Sequence, residues 1–298
     1  MTDLYQSQRA MRNMRQQAMQ RGSIAVLDIG TFKVACLILK FGVSEGPHEG
    51  SGVGALAGQA AFRVIGAGTT RSRGIRFGEI AAMQETERAV RTALQTAQKM
   101  AQTRVDHAIL CFAGGDTRSY GLEGMVELDG DRVSEDDIAR VLDACDVPDL
   151  GHGREVLHAQ PVNFMLDHRT GLADPRGQAG RQLGCDMHML SVDADVVQNL
   201  IHCLKRCDVE VACMAAAPYV AGRSALVEDE QELGAAAIDL GGGATGISIF
   251  IKKHMIFADT VRLGGDHITS DIAKGLQIPY STAERIKTYY SGVPLSGS

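Results

Sequence analysis

One unit occurs twice in this chain, and it restricts the fold more than any other feature. Ile24-Ala25-Val26-Leu27 runs into Asp28-Ile29-Gly30-Thr31, and the apolar Val34-Ala35-Cys36-Leu37-Ile38-Leu39 follows at once. Residues 235–251 repeat the plan: Ala235-Ala236-Ala237-Ile238, then Asp239-Leu240-Gly241-Gly242-Gly243, then Ile247-Ser248-Ile249-Phe250-Ile251. A strand, a tight glycine turn and a second strand make a hairpin. Two such units, their aspartates 211 residues apart, point to two similar α/β lobes that face each other.

The chemistry of the turn follows from its residue types. Glycine has no Cβ to keep backbone N–H groups away from phosphate oxygens. An aspartate at the mouth of each turn suits Mg²⁺, which keeps several waters and prefers carboxylates together with phosphates. Thr31, Thr245 and Lys33 add hydroxyl and ammonium groups for the same anion. Two turns from opposite lobes would clamp a β,γ-phosphate and its metal. The plain alternative is a pair of ordinary glycine hairpins, each with a capping aspartate.

Between the repeats, Ala61 to Gly68 reads as a strand, and Ser72-Arg73-Gly74 and Gly78 as a turn. From Glu79, the residues Ile80, Met83, Val90, Leu94, Ala97 and Met100 recur at helical spacing. His107 to Phe112 reads as a buried strand. Ser134 before Glu135-Asp136-Asp137 is a helix N-cap, with acids where the helix dipole favours them. Val156 to Phe164 and Asp186 to Val192 are expected strands, and Asp193 to Cys207 an amphipathic helix. Residues 1–22, rich in Arg, Gln and Met, cannot bury enough to order themselves and are expected to be disordered. Met11, Met14 and Met19 beside arginines leave a weak membrane-surface or partner helix as the alternative. Gly42 to Gly58 reads as a flexible excursion.

Composition narrows the function. A net charge of −6 argues against a nucleic-acid partner. The best apolar run, Val34 to Leu39, has the length of a strand and falls far short of a membrane span. Seven cysteines without a Cys-x-x-Cys suit a reducing, cytoplasmic setting. His202, Cys203 and Cys207 share one helix and read as core packing before metal ligation. Cys111, Cys145 and Cys213 read as small hydrophobes.

Val26-Leu27-Asp28-Ile29-Gly30-Thr31-Phe32-Lys33-Val34 and Ile238-Asp239-Leu240-Gly241-Gly242-Gly243-Ala244-Thr245 resemble the two phosphate motifs of the actin-like ATPase superfamily. Within it, the chain resembles the bacterial cell-division family FtsA. The stretches that carry this are Ser72-Arg73-Gly74-Ile75, Val156-Leu157-His158-Ala159-Gln160-Pro161, Glu228 to Gly234, Thr269 to Ala273 and Ala283-Glu284-Arg285-Ile286-Lys287.

The resemblance implies an actin-like (ribonuclease H-like) two-lobe α/β fold that binds ATP and Mg²⁺. Asp28, Gly30, Thr31 and Lys33 would form the first phosphate loop, and Gly241, Gly242, Gly243 and Thr245 the second. Asp28 and Asp239 would hold the metal through water, Asp239 also orienting the attacking water as the one weakly catalytic group. Gly264 and Gly265 would approach the phosphates or sugar at a helix N-terminus. Glu284 and Lys287 would hold the ribose and adenine edge; without the resemblance they read as a surface ion pair. Ala217 to Ser224 carries no carboxylate for the attacking water, so hydrolysis should be weak or absent.

By the same resemblance, 23–104 and 181–210 form the first lobe, 105–180 an inserted α/β subdomain, and 211–298 a second lobe that stops short. The family chain continues past Lys287 with a Gly-Gly adenosine motif and a basic amphipathic helix in the membrane interface, so this sequence reads as C-terminally truncated. The implied function is an ATP-binding scaffold at the inner face of the membrane at the division site. Its implied partners are the FtsZ C-terminal tail, further copies of itself in a polymer, other divisome proteins through the insert, and the membrane through the helix absent here. The alternatives are a phosphotransferase or exopolyphosphatase on the same cleft, and a pilus-assembly scaffold.

Overall fold

The computed structural model describes residues 20, 22–42, 62–151 and 153–290. The expected leader, except residues 20 and 22, and the excursion after Gly42 lie outside the described residues, as do 291–298.

The first repeat forms the hairpin β1 (Ser23–Ile29) and β2 (Lys33–Phe41), extended by antiparallel β3 (Phe62–Arg71). Two two-residue strands follow, β4 (Ile75–Arg76) and β5 (Glu79–Ile80), paired with each other. The helix α1 (Met83–Ala101) therefore starts four residues later than the periodicity indicated, because Glu79 and Ile80 close this small turn. β6 (His107–Phe112) then returns parallel to β1. Helix α1 lays Val90, Ala93, Leu94 and Ala97 on the sheet, where they join Leu27, Ile38 and Leu110 in the largest buried cluster.

The chain next leaves for a separate sheet. It contains β7 (Arg118–Glu127), helix α2 (Glu135–Asp143), β8 (Arg154–Leu166), β9 (Arg169–Leu172) and β10 (Gln182–Asp193), with strand order β7-β10-β8-β9. It has its own core around Leu122, Val141, Phe164, Leu183 and Met189. Helix α2 is capped as its sequence indicated: Asp137 N–H donates to Ser134 Oγ at 3.2 Å, and Ser134 N–H donates back to the Asp137 carboxylate at 2.9 Å.

Helix α3 (Ala194–Arg206) brings the chain back, and β11 (Glu210–Ala216) adds to the first sheet parallel to β6. The sheets thus correct two expected boundaries. β6 and β11 belong to the first lobe's sheet, while β10 belongs to the small one, so the insert runs later than 105–180 and the first lobe extends past 210. Parallel pairing between distant segments leaves no local mark in sequence. On α3, Cys203 and Cys207 are buried in the first core, while His202 is exposed.

After helices α4 (Ala217–Ala225) and α5 (Glu228–Leu233), the second repeat builds β12 (Ala235–Leu240) and β13 (Thr245–Ile251), with β14 (His254–Val261) antiparallel to β13. Among the described residues β12 is one edge of this sheet, with Ile238 and Leu240 64% and 78% exposed. Helices α6 (Gly265–Leu276) and α7 (Tyr280–Tyr290) complete the second lobe as described. The insert is tied to it: Ser119 Oγ donates to Ala258 O at 2.7 Å and accepts from Ala258 N–H at 2.8 Å. His158 Nε2 accepts from Ala216 N–H at 3.0 Å, fixing the entry to α4.

Candidate functional site

The two hairpins have the same register. Asp28 pairs with Ala35 and Ile29 with Val34; Asp239 pairs with Gly246 and Leu240 with Thr245. Each turn is closed by the corresponding bond, Gly30 N–H to Lys33 O at 3.1 Å and Gly241 N–H to Ala244 O at 3.0 Å. Position by position, then, Thr245 is the counterpart of Val34, a strand residue, and not of Thr31. Its hydroxyl donates to Leu263 O at 2.6 Å and so serves the sheet corner. The contact to the anion expected of Thr245 is spent on the fold in this structure.

The turns meet across the lobes. A Cβ on Gly243 would lie 2.6 Å from Thr31 Oγ1, and one on Gly242 would lie 3.3 Å from Phe32 Cβ. Asp28 and Asp239 lie within each other's field. Burial raises the Asp28 pKa, the Lys33 ammonium opposes the rise, and the Asp239 charge adds to it. Two carboxylates that repel each other at the mouths of two glycine turns are the donor chemistry a divalent cation neutralises, so the pair fits Mg²⁺. Cys111 lies beside Asp28 on β6. Its thiol is pushed up to about 12, by burial first and then by both aspartates, which keeps it protonated and inert.

Gly264 and Gly265 stand against the second turn. Gly265 N–H donates to Gly241 O at 2.9 Å and Asp266 N–H to Gly242 O at 2.8 Å, while His267 N–H turns back to Gly264 O. The first donors of α6, orphans in a bare helix, here hold the turn in shape instead of facing an anion. A Cβ at Gly264 would sit 2.5 Å from the carbonyl oxygens of both Gly241 and Gly242, so only glycine permits this approach.

Glu284 and Lys287 form a partly buried pair at 2.8 Å, one turn apart on α7. Lys287 Nζ also donates to Gly265 O at 3.1 Å and Thr269 Oγ1 at 2.8 Å. Thr269 Oγ1 donates to Glu284 at 2.5 Å. Lys287 and Thr269 hold the Glu284 carboxyl below its ordinary pKa. This network fastens α7 to the start of α6, and so to the second turn.

A cleft of about 560 Å³ opens between the lobes. Of the expected site residues, Thr31, Gly243 and Glu284 line it. The rest of its wall was not singled out as a site in the sequence: Phe32, Arg71, Ser72 and Ile75 to Phe77 from the first lobe, and Asp266, His267, Ser270 and Tyr280 from the second. The Phe77 and His267 rings stack across it at 5.5 Å, and Arg262 pairs with Glu79 from lobe to lobe. The available signal was the glycine spacing of Ser72 to Gly78. Gly78 takes φ +79°, where a Cβ would strike Ala113 O, so this turn is forced against the first sheet beside the Thr31 turn.

Among the described residues no helix is long and apolar enough to cross a membrane.

Residues 114–191 match the family model for the SHS2 domain inserted in FtsA, and residues 236–296 match the model for cell division protein FtsA. Cell division protein FtsA of Rhizobium meliloti (strain 1021) is 39% identical over 275 residues, 92% of this chain and 61% of that protein. The chain belongs to the FtsA family. FtsA of Pseudomonas aeruginosa is 32% identical over 275 residues, and the chain spans about three-fifths of the length of these FtsA relatives. Among solved structures, the PilM-PilN type IV pilus biogenesis complex aligns with a TM-score of 0.60 at 13% identity, covering 90% of this chain and 69% of that one. At that identity the likeness is one of fold, an actin-like α/β architecture. The FtsA insert model at 114–191 coincides with the small sheet β7 to β10.

Proposed function

We propose that the cleft binds ATP with Mg²⁺ and that the chain is the nucleotide-dependent part of a cell-division scaffold. The observation that supports this is that two hairpins of equal register bring their glycine turns together, Gly243 against Thr31 and Gly242 against Phe32, with Asp28 and Asp239 in each other's field. Backbone N–H groups between these closing bonds, at Thr31, Phe32, Gly242 and Gly243, with the Lys33 ammonium, would take the phosphates, and the two aspartates would hold Mg²⁺ through water. Glu284, which lines the cleft, would receive the ribose, with Lys287 fixing its charge and position. The bound metal would supply charge neutralisation at the phosphates.

Hydrolysis is not what these residues favour. The start of α4, Ala217-Pro218-Tyr219, offers no carboxylate or amide to orient a water. Nucleotide then acts chiefly as a conformational ligand that shifts the lobes between states. Membership in the FtsA family supports a role in division. Within it we assign the scaffold's further parts as proposals: linkage of the FtsZ tail, assembly with further copies, recruitment of other divisome proteins through the insert, and placement at the inner face of the membrane at the division site.

The test is a thermal melt with Mg-ATP, Mg-GTP and Mg-pyrophosphate, together with a phosphate-release assay offering sugars and polyphosphate. The scaffold reading expects a melting rise with Mg-ATP and slow phosphate release. Rapid transfer to a sugar or rapid polyphosphate hydrolysis would overturn it in favour of a phosphotransferase or exopolyphosphatase.

A further inference from the structure

The first lobe brings a second set of cations to the cleft. Arg71 ends β3 directly opposite Lys33 on β2, so two like charges share one face of a strand pair. That arrangement destabilises a sheet unless an anion lies between the charges. Arg76 lines the same cleft five residues on. Neither guanidinium is engaged in an ion pair among the described residues. Between them Ser72 is only 8% exposed, lines the cleft, and has a buried hydroxyl without a hydrogen-bond partner. A buried hydroxyl is rarely left unpaired without a reason.

The segment is also fastened to the first phosphate turn at both ends. Ser72 N–H donates to Phe32 O at 2.9 Å, and Gly78 N–H donates to Thr31 Oγ1 at 3.3 Å. Charge counting gives the set a purpose. Asp28 and Asp239 against Lys33 leave the turns net negative, and a magnesium-bound triphosphate itself carries roughly two negative charges. Clamping it between the turns alone would add repulsion, so further cations are required. Arginine suits the task, since its planar fork bonds phosphate with two N–H groups.

Building on the nucleotide reading above, we propose that Arg71, Ser72 and Arg76 form a third phosphate-contacting wall that reads the terminal phosphate and makes the cleft prefer a nucleoside triphosphate to a diphosphate. Because the same segment reaches the second lobe through Phe77 on His267 and Glu79 on Arg262, occupancy of this wall is passed to the closure of the lobes.

The experiment is titration calorimetry of Mg-ATP and Mg-ADP on the full chain and on Arg71→Gln/Arg76→Gln. Arg73→Gln is the charge control, because Arg73 is exposed and outside the cleft lining. The double variant should lose at least about tenfold in Mg-ATP affinity and much less in Mg-ADP affinity, with Arg73→Gln unchanged for both. Arg76→Lys, which keeps the charge and loses the fork, should fall between. Equal losses for the two nucleotides, or no loss in a variant that melts like the wild type, would overturn this assignment and leave the nucleotide reading intact. A wild type that binds neither nucleotide would overturn both.

Discussion

Gly264→Ala tests whether α6 supports the second turn. The substitution leaves an allowed backbone, since φ at this position is −161°, so any effect must come from the added methyl group. That methyl would meet two carbonyl oxygens at 2.5 Å. Both belong to backbone, which cannot swing aside as a side chain can. Overpacking of this kind costs about 1–3 kcal/mol. Relief requires α6 and the turn to part, which weakens the bonds of Gly265 and Asp266 to Gly241 and Gly242, each worth about 1 kcal/mol. The expected loss is therefore roughly 2–5 kcal/mol, a fall in melting temperature of roughly 4–10 °C for a chain of this size. Gly275→Ala is the matched control on the same helix, with nothing within 4 Å of its added Cβ; it should gain about 0.5–1 kcal/mol. Differential scanning calorimetry reads both. If Gly264→Ala melts with the wild type, α6 does not brace the turn and the close approach described here has no energetic weight.

Asp28→Asn should melt above the wild type at pH 7 without nucleotide, yet gain nothing from Mg-ATP. A carboxyl whose pKa is raised in the fold binds more protons folded than unfolded, so it costs stability as pH rises through that window; the amide removes the cost, and the variant's advantage should shrink as pH falls and the wild-type carboxyl takes up its proton. Thr31→Val should weaken Mg-ATP binding about tenfold or more, whereas Thr245→Val, whose hydroxyl serves Leu263, should cost about 1 kcal/mol of stability and leave binding nearly unchanged. Equal binding losses in a titration would refute that division of roles. In the insert, hydrogen bonds from Ser134 and Arg140 hold the Asp137 pKa down to about 2. Its contribution is present above the ordinary carboxylate range and is lost as pH falls from about 4 towards 2. Urea unfolding of Asp137→Asn should lack that part of the acid dependence, and an unchanged acid profile would remove the role given to this cap.

What sequence could reveal was what depends on neighbours in the chain. The hairpins, the cap at Ser134 and the strand His107–Phe112 are local patterns, and the structure places them where they were read. The glycines and aspartates of the two turns were legible because the unit is written twice. Long-range pairing was not legible. β6 and β11 join the first sheet by parallel contacts with distant strands, which moved the expected lobe boundaries. Thr245 was read beside Thr31 as a hydroxyl for the anion, and only the register shows it to be the counterpart of Val34. Gly264 and Gly265 announced a helix N-terminus, but not that its donors go to Gly241 and Gly242. The Arg71 to Phe77 wall escaped notice because an arginine at a strand end reads as solvated until the opposite lobe supplies the other side.

The central claim is that the two aspartate-glycine turns act together on one magnesium nucleotide. Calorimetric titration of Mg-ATP into this chain, with folded Asp239→Ala alongside, tests it most directly. The account predicts saturable binding by the wild type and its loss in the variant. A folded wild type that takes up no Mg-ATP, or an Asp239→Ala variant that binds as well as the wild type, would contradict it.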